Sequence, residues 1–290
     1  MRIGDLIKNR DKPFFSLEFF PPADAENLAK FYKAVEDLEK LKPLFVSVTY
    51  GAGGKKQGRT LEITSALAAR GLEAMAHLTC VGARPEAIAG FVRQLRANGV
   101  DNVLALRGDY PEDGSWSEAG ADFKHASDLL RFLKANFPEI GAGVAAYPYP
   151  HPESPTFAED RLHTAEKFAA GADFAITQLF FDVREYVDLV DNLSARGFGA
   201  PVVPGVFAIQ SFESLKRVLS LCGARIPPGL YLRLEAANAE GGAEAVREEG
   251  VRVAIDMVRR LLDLGAPGVH LYTLNKSDVA KRIIEETGLA

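Results

Sequence analysis

The sequence predicts an α/β protein, a single (β/α)8 TIM barrel. Short β-rich runs alternate strictly with longer stretches of helical periodicity, the pattern of a parallel sheet with its helices outside. The alternation occurs eight times, and eight repeats in 290 residues favour closure over an open doubly wound sheet. No Ser/Gly linker, low-complexity tract or residue-level repeat divides the chain, so residues 1–290 read as one domain.

The first four strands are read at "FFSLEFF" (14–20), "LFVSVTY" (44–50), "EAMAHLTC" (73–80) and "NVLALRG" (102–108). The other four are "AGVAAYP" (142–148), "FAITQLFF" (174–181), "VVPGVF" (202–207) and "GVHLYTL" (268–274). Helices fill the gaps at 24–41, 58–70, 85–98, 124–136, 157–170, 184–196, 211–221, 243–264 and 276–287. Pro85 suits a first helical turn, and Gly71, Gly99, Gly171 and Gly197 each follow an apolar-periodic run as C′ glycines do. The longest connection separates strands 7 and 8, where "RIPPGLYLRLEAANAEGGAE" predicts an extra short helix and "AEGGAEAVREEG" a solvated loop and helix start.

The bulk composition excludes several classes. A hydrophobic content of 47% with 25% charged residues is that of a globular protein. The net charge of −5 offers no basic footprint, so nucleic acid is not an expected partner. Two cysteines, Cys80 and Cys222, are too few for a disulfide framework and suit a reducing compartment. The N-terminus lacks an apolar signal core, and no run approaches the ~18 apolar residues that span a bilayer. No membrane partner and a cytoplasmic location are the expectation.

Side-chain alternation then locates the chemistry. In a barrel strand one parity faces the lumen and the other, apolar, faces the helices. Phe15, Leu17 and Phe19 form the apolar set of the first strand, which turns Ser16 and Glu18 into the lumen near its C-terminal end. The third strand groups Met75, His77 and Thr79, the second offers Ser47 and Thr49, and the sixth carries the amide of Gln178. On the fourth, Ala105, Arg107 and Asp109 share a parity opposite Leu104 and Leu106. Each alone could be a satisfied core polar group, but together they gather at the barrel face that carries active sites. Weaker signals add little. "GAGGKKQG" (51–58) matches no phosphate-loop pattern and reads as a βα loop. "HLTC" has no second ligand pair at metal spacing, and neither cysteine sits in a nucleophile motif, so no metal is expected.

The blocks "SLEFFPP", "FVSVTYGAGG", "AHLTC", "LALRGD", "AAYPYPHPES", "FAITQLFFD" and "LYTLNKS" occur in an order that resembles the 5,10-methylenetetrahydrofolate reductase family, in its compact bacterial form. The resemblance runs from about residue 14 to about residue 285. It implies a FAD-containing barrel that uses NADH or NADPH to reduce methylenetetrahydrofolate to 5-methyltetrahydrofolate, and a homo-oligomer, dimer or tetramer. It makes Glu18 the general acid, places Asp109 near flavin and pterin, and puts Gln178 and Lys276 on the substrate. For FAD it implies Thr49, His77, Leu106, Arg107, Gly108, Asp109, Tyr147, His151, Asp160 and Lys167, with His125 and Ala126 beside the adenosine. Opening a cyclic aminal needs a proton delivered to the departing amine. A carboxyl does this when its pKa is raised, as desolvation among Phe14, Phe19 and Phe20 or a nearby Asp109 would do. Arg107 and Lys167 suit a pyrophosphate.

The sequence departs from the family at Val218, where a phenylalanine is usual, at Ser214 and Lys276, and at the FAD-contacting positions His163 and Glu166. Two other readings stand beside the reductase. One is a different flavin barrel, of proline-dehydrogenase type; the other is a folate- or flavin-binding barrel with little turnover.

Overall fold

The computed structural model describes residues 1–22, 24–50, 57–110, 117 and 119–290. The loop reading of 51–58 lies outside these residues up to position 56, and the predicted helix 58–70 is observed as α3 (Gln57–Ala69).

The strands are β1 (Phe14–Phe19), β2 (Val46–Val48), β3 (Ala74–Thr79), β4 (Asn102–Leu106), β5 (Gly141–Ala146), β6 (Phe174–Thr177), β7 (Val202–Val203), β8 (Gly205–Val206) and β9 (Gly268–Tyr272). All pairings are parallel, in the order β7-β6-β5-β4-β3-β2-β1-β9-β8. β7 and β8 are the two halves of the predicted seventh strand, parted by Pro204. β7 pairs with β6 and β8 with β9, so the sheet closes into the predicted eight-stave barrel. Proline has no N–H for a ladder, but the Pro204 carbonyl accepts from His270 N at 2.9 Å. Gly205 N donates instead to Thr177 Oγ1 at 2.9 Å.

Around the barrel run α2 (Ala25–Glu39), α3, α4 (Pro85–Ala97), α5 (Ala126–Asn136), α6 (Phe157–Ala169), α7 (Val183–Ala195), α8 (Phe212–Cys222), α9 (Pro228–Asp263) and α10 (Ser277–Thr287). The extra helix after the seventh stave is present but is not short or separate. It is the first limb of the 36-residue α9, which breaks at Gly241 and Gly242, where φ is −144° and +64°. The "AEGGAEAVREEG" segment is therefore a kink inside a helix rather than a loop.

Alternation divides the apolar residues into two layers. Phe15, Leu17 and Phe19 pack outward with the helices, while Phe14, Phe45, Met75, Leu104, Phe174 and Ile176 fill the lower lumen. The fourth strand corrects the sequence reading. Leu104 belongs to the lumen and Ala105 to the helix layer. The strand ends at Leu106, and Gly108, at φ +88°, turns the chain, so Arg107 and Asp109 stand on a loop and carry no strand parity.

The N-terminal mouth is closed by α1 (Ile3–Lys8), which periodicity did not predict. Ile3 and Ile7 join the lumen core, and Ile3 N donates to Asn102 Oδ1 at 2.8 Å. Asn102 Nδ2 donates in turn to the Met1 carbonyl at 2.7 Å and to Glu73 Oε1 at 2.9 Å. With one end plugged, the open mouth is at the strand C-termini.

The seam tolerates no side chain at position 205. A Cβ there would lie 2.3 Å from the Thr177 carbonyl and 2.7 Å from the Tyr272 ring. Gly205→Ala is expected to destabilise the fold by ~1–3 kcal/mol, the usual range for overpacking. Thermal unfolding followed by circular dichroism reads this; an unchanged melting temperature would refute the tight-seam description.

Candidate active site

The C-terminal mouth opens into a cleft of about 2000 Å³. A typical small-molecule pocket is ~300–1,000 Å³, so this one has room for a dinucleotide and a second ligand. Its floor is the upper lumen layer, and its walls are the βα loops and α8.

Glu18 is the penultimate residue of β1 and sits in register between Ser47 and Tyr272. Its Oε2 is 3.5 Å from His77 Nε2 and 3.7 Å from His270 Nε2. The expected phenylalanine shell is not what surrounds it. Phe19 faces the helices against Phe31, Phe14 lies in the lower lumen layer, and Phe20 is 39% exposed. Two imidazoles are its neighbours.

The sequence reading overlooked His270. It is fully buried, with Nδ1 2.8 Å from Ser16 Oγ and Nε2 3.3 Å from Ser47 Oγ, and its ring stacks on Phe45 at 5.7 Å. Ser16 Oγ also donates to the Val269 carbonyl at 3.3 Å, so the two serines hold the ring by both its nitrogens. The parity it shares with Tyr272 in "GVHLYTL" was the available signal. His77 is neutral: burial pushes its imidazole down to about 4 against the opposing pull of Glu18. Its Nε2 is buried without a hydrogen-bond partner. Tyr272 donates its hydroxyl to the Thr177 carbonyl at 2.7 Å, and burial raises its pKa well above the usual value.

Thr49, Leu106, Gly108, Asp109 and Gln178 also line the cleft. Asp109 stands exposed at the mouth. Gln178 Oε1 accepts from Leu179 N at 2.9 Å. Across the cleft is a cationic sector. Arg107 forks onto Glu153 at 2.5 and 2.7 Å and lies over the Tyr110 ring. Tyr147 and His151 line the same wall. Lys167 and Asp160 stand behind it rather than on it. Lys167 Nζ donates to the Ala145 carbonyl at 2.8 Å and lies 5.5 Å from the Tyr147 ring centroid. Burial lowers this ammonium to about 8, with Asp160 opposing. Asp160 Oδ2 accepts from His151 N and Ser154 Oγ, while its buried Oδ1 has no hydrogen-bond partner.

The remaining candidates lie off the cleft wall. His125 caps α5 ahead of Ala126, and its ring stacks on His163, which pairs with Glu166. Lys276 donates to Gln210 at the start of α10. Ser214 and Val218 are on the wall, and Ser214 also closes the N-terminal capping box of α8. Burial pushes the Cys222 thiol, which also lines the cleft, up to about 11, so it is no thiolate nucleophile. His77 faces the lumen and Cys80 the helix layer, so "HLTC" does not converge on a metal.

A family model described as methylenetetrahydrofolate reductase matches residues 2–288. The chain belongs to the methylenetetrahydrofolate reductase family. It is by that membership an oxidoreductase of folate one-carbon metabolism. The 5,10-methylenetetrahydrofolate reductase of Escherichia coli (strain K12) is 35% identical over 275 residues, covering 94% of this chain and 90% of that one. Methylenetetrahydrofolate reductase 1 of Schizosaccharomyces pombe is 34% identical over 295 residues, and this chain spans 49% of its length. Among solved structures, an uncharacterised Clostridium thermocellum protein that binds two copies of 5-methyl-5,6,7,8-tetrahydrofolic acid superposes with a TM-score of 0.67. Its identity is 17%, over 98% of this chain and 97% of that one, so what it shares is the fold. Among the described residues no helix is long and apolar enough to cross a membrane.

The depressed Lys167 value has a signed consequence. Between pH 8 and 10.5 the unfolded chain holds a proton at Lys167 that the folded chain has released, so stability rises with pH across that window. Below it, the full desolvation penalty is present. Lys167→Met is expected to be at least as stable as wild type near pH ~7 and to lose the alkaline gain. Urea unfolding at the two ends of the window measures both, and an unchanged pH profile in the variant would refute the assignment.

Proposed function

We propose that the chain reduces 5,10-methylenetetrahydrofolate to 5-methyltetrahydrofolate, with FAD as its bound cofactor and NADH or NADPH as electron donor. The observation that carries this reading is Glu18 on the cleft floor, its carboxyl 3.5 Å from His77 and 3.7 Å from His270, with a cationic sector on the opposite wall. The residues present fit FAD. The cleft is large enough, and Arg107 and Lys167 supply positive charge in a sequence without a dinucleotide-binding glycine motif. His77 and Asp160 each keep a buried polar atom without a hydrogen-bond partner. FAD, when bound, supplies the hydride chemistry that no side chain can.

The chain's own residues then have distinct tasks. Arg107 and His151 would meet the diphosphate side of the cofactor, with Lys167 behind them adding positive charge through the wall. Thr49, His77, Leu106, Gly108 and Tyr147 shape the pocket for the ring system, and Gln178 offers an amide to the pterin. Glu18 delivers a proton to the departing amine nitrogen of the substrate's five-membered ring, opening it to the cation that accepts hydride. Asp109 places a negative charge at the mouth, near that cation. His125, Ala126 and Lys276, which lie off the wall, take part only through ligand segments that extend past the rim.

Family membership weighs against a proline-dehydrogenase type of enzyme. A barrel that binds without turnover is separated by an anaerobic experiment. NADH or NADPH should bleach the flavin absorbance, and methylenetetrahydrofolate should restore it; a yellow protein that no donor bleaches would refute the reductase reading.

Glu18→Gln preserves shape and removes the transferable proton. Bleaching by the donor should stay close to wild type, while recovery on methylenetetrahydrofolate should fall by at least ~10²-fold, the lower end of a positioned general acid's contribution. Asp109→Asn should disturb both phases. Stopped-flow absorbance separates them, and equal slowing of both phases in Glu18→Gln would make Glu18 structural. Arg107→Ala should lose FAD on dialysis, whereas unchanged flavin content would remove Arg107 from the cofactor site. The proposed homo-oligomer, dimer or tetramer, is read by light scattering, and a monomer at every concentration would contradict it.

A further inference from the structure

The cationic wall holds one contact whose geometry a phosphate would copy. Arg107 Nη1 meets Glu153 Oε2 at 2.5 Å and Nη2 meets Oε1 at 2.7 Å, two parallel charge-assisted bonds. The two partners are not equally part of the cleft. The Arg107 side chain is 20% exposed and lies over the Tyr110 ring, 4.3 Å from its centroid, whereas Glu153 is 49% exposed and does not line the cleft. The arginine belongs to the cleft wall, and the glutamate reaches it from the solvent side.

The segment bearing Glu153 is pinned close to the wall. Glu153 N donates to His151 Nδ1 at 3.2 Å, and His151 N and Ser154 Oγ both donate to Asp160 Oδ2. Asp160 is 3% exposed, and its second oxygen is buried without a hydrogen-bond partner. The Lys167 ammonium nearby donates to a neutral carbonyl, that of Ala145. Glu153 is thus the carboxylate on the Arg107 fork, while Asp160 faces Lys167 and carries the Arg161 guanidinium 3.5 Å from its second oxygen. A diphosphate presents oxygens at the same fork, with more charge.

We propose that Glu153 is an internal counter-anion of Arg107, which a diphosphate-bearing cofactor must displace in order to bind. This rests on the reading of Arg107 as a cofactor-phosphate ligand. Glu153 then lowers affinity and slows entry for phosphate-bearing flavins in particular, and it keeps the guanidinium plane set for them.

The test uses the full-length chain stripped of flavin. FAD is titrated by calorimetry and followed by stopped flow; riboflavin, which has the ring system without phosphates, is the control ligand. Glu153→Gln should raise the association rate and affinity for FAD by roughly tenfold, as removing an opposing charge from a binding mouth does. Riboflavin binding should not change. In an Arg107→Ala background the same substitution should have no effect on FAD, because the competition has lost its object. If Glu153→Gln leaves FAD binding unchanged or weaker while Arg107→Ala weakens it, the counter-anion role falls and the Arg107 assignment stands. A gain for riboflavin equal to that for FAD would also overturn it, since the glutamate would then be blocking the mouth sterically. If Arg107→Ala itself leaves FAD binding intact, both fall.

Discussion

The molecule depends on how its sheet closes. The seventh stave is only two residue pairs long and broken by Pro204, so the ring is completed by contacts that are not ordinary ladder bonds. The Thr177 hydroxyl stands in as acceptor for Gly205 N, the Tyr272 hydroxyl reaches the Thr177 carbonyl, and the Pro204 carbonyl takes His270 N. These contacts hold β9 against β6 and β8, and β9 carries the two side chains nearest Glu18 on that side. The geometry of the candidate acid is thus inherited from the seam.

Charge is distributed around that geometry in two sectors. The floor holds the Glu18 carboxyl with two imidazoles, His77 held neutral by burial and His270 tethered to Ser16 and Ser47. The far wall holds Arg107 and Lys167, with Glu153 and Asp160 as partial partners. A ligand that is anionic at one end and carries a reactive ring at the other is matched by this separation across the cleft. Electrostatic effects are stronger there than in bulk water because the floor is closed below by α1 and its apolar contacts.

Much of this was legible from the chain. Strand alternation placed Ser16, Glu18 and His77 on the right side of the barrel because β1 and β3 are regular and their outward residues are uniformly apolar. It failed on the fourth strand because Arg107 and Asp109 were counted as strand residues, although Gly108 turns the chain after Leu106. A helix of six residues is too short to show periodicity, so α1 passed unseen until Ile3 was found against Asn102. Glu153 and His270 were hidden for another reason. Their partners, Arg107 and Glu18, are 46 and about 250 residues away, and only the closed barrel brings them together.

The α8 wall has a consequence for how such a protein changes over generations. α8 and the first limb of α9 rest on a small apolar cluster of their own, with Phe207, Ile209, Leu215, Leu230 and Leu234, set apart from the core beneath the other helices. Arg233 and Arg252 both clasp the buried Glu249 and brace the limb across the Gly241–Gly242 break. Val218, on the cleft side of α8, packs on this cluster together with Tyr272 of the seam, so the wall and the barrel closure share one apolar support. A change of volume on that wall is therefore felt at Tyr272, and through it beside the acid on the floor.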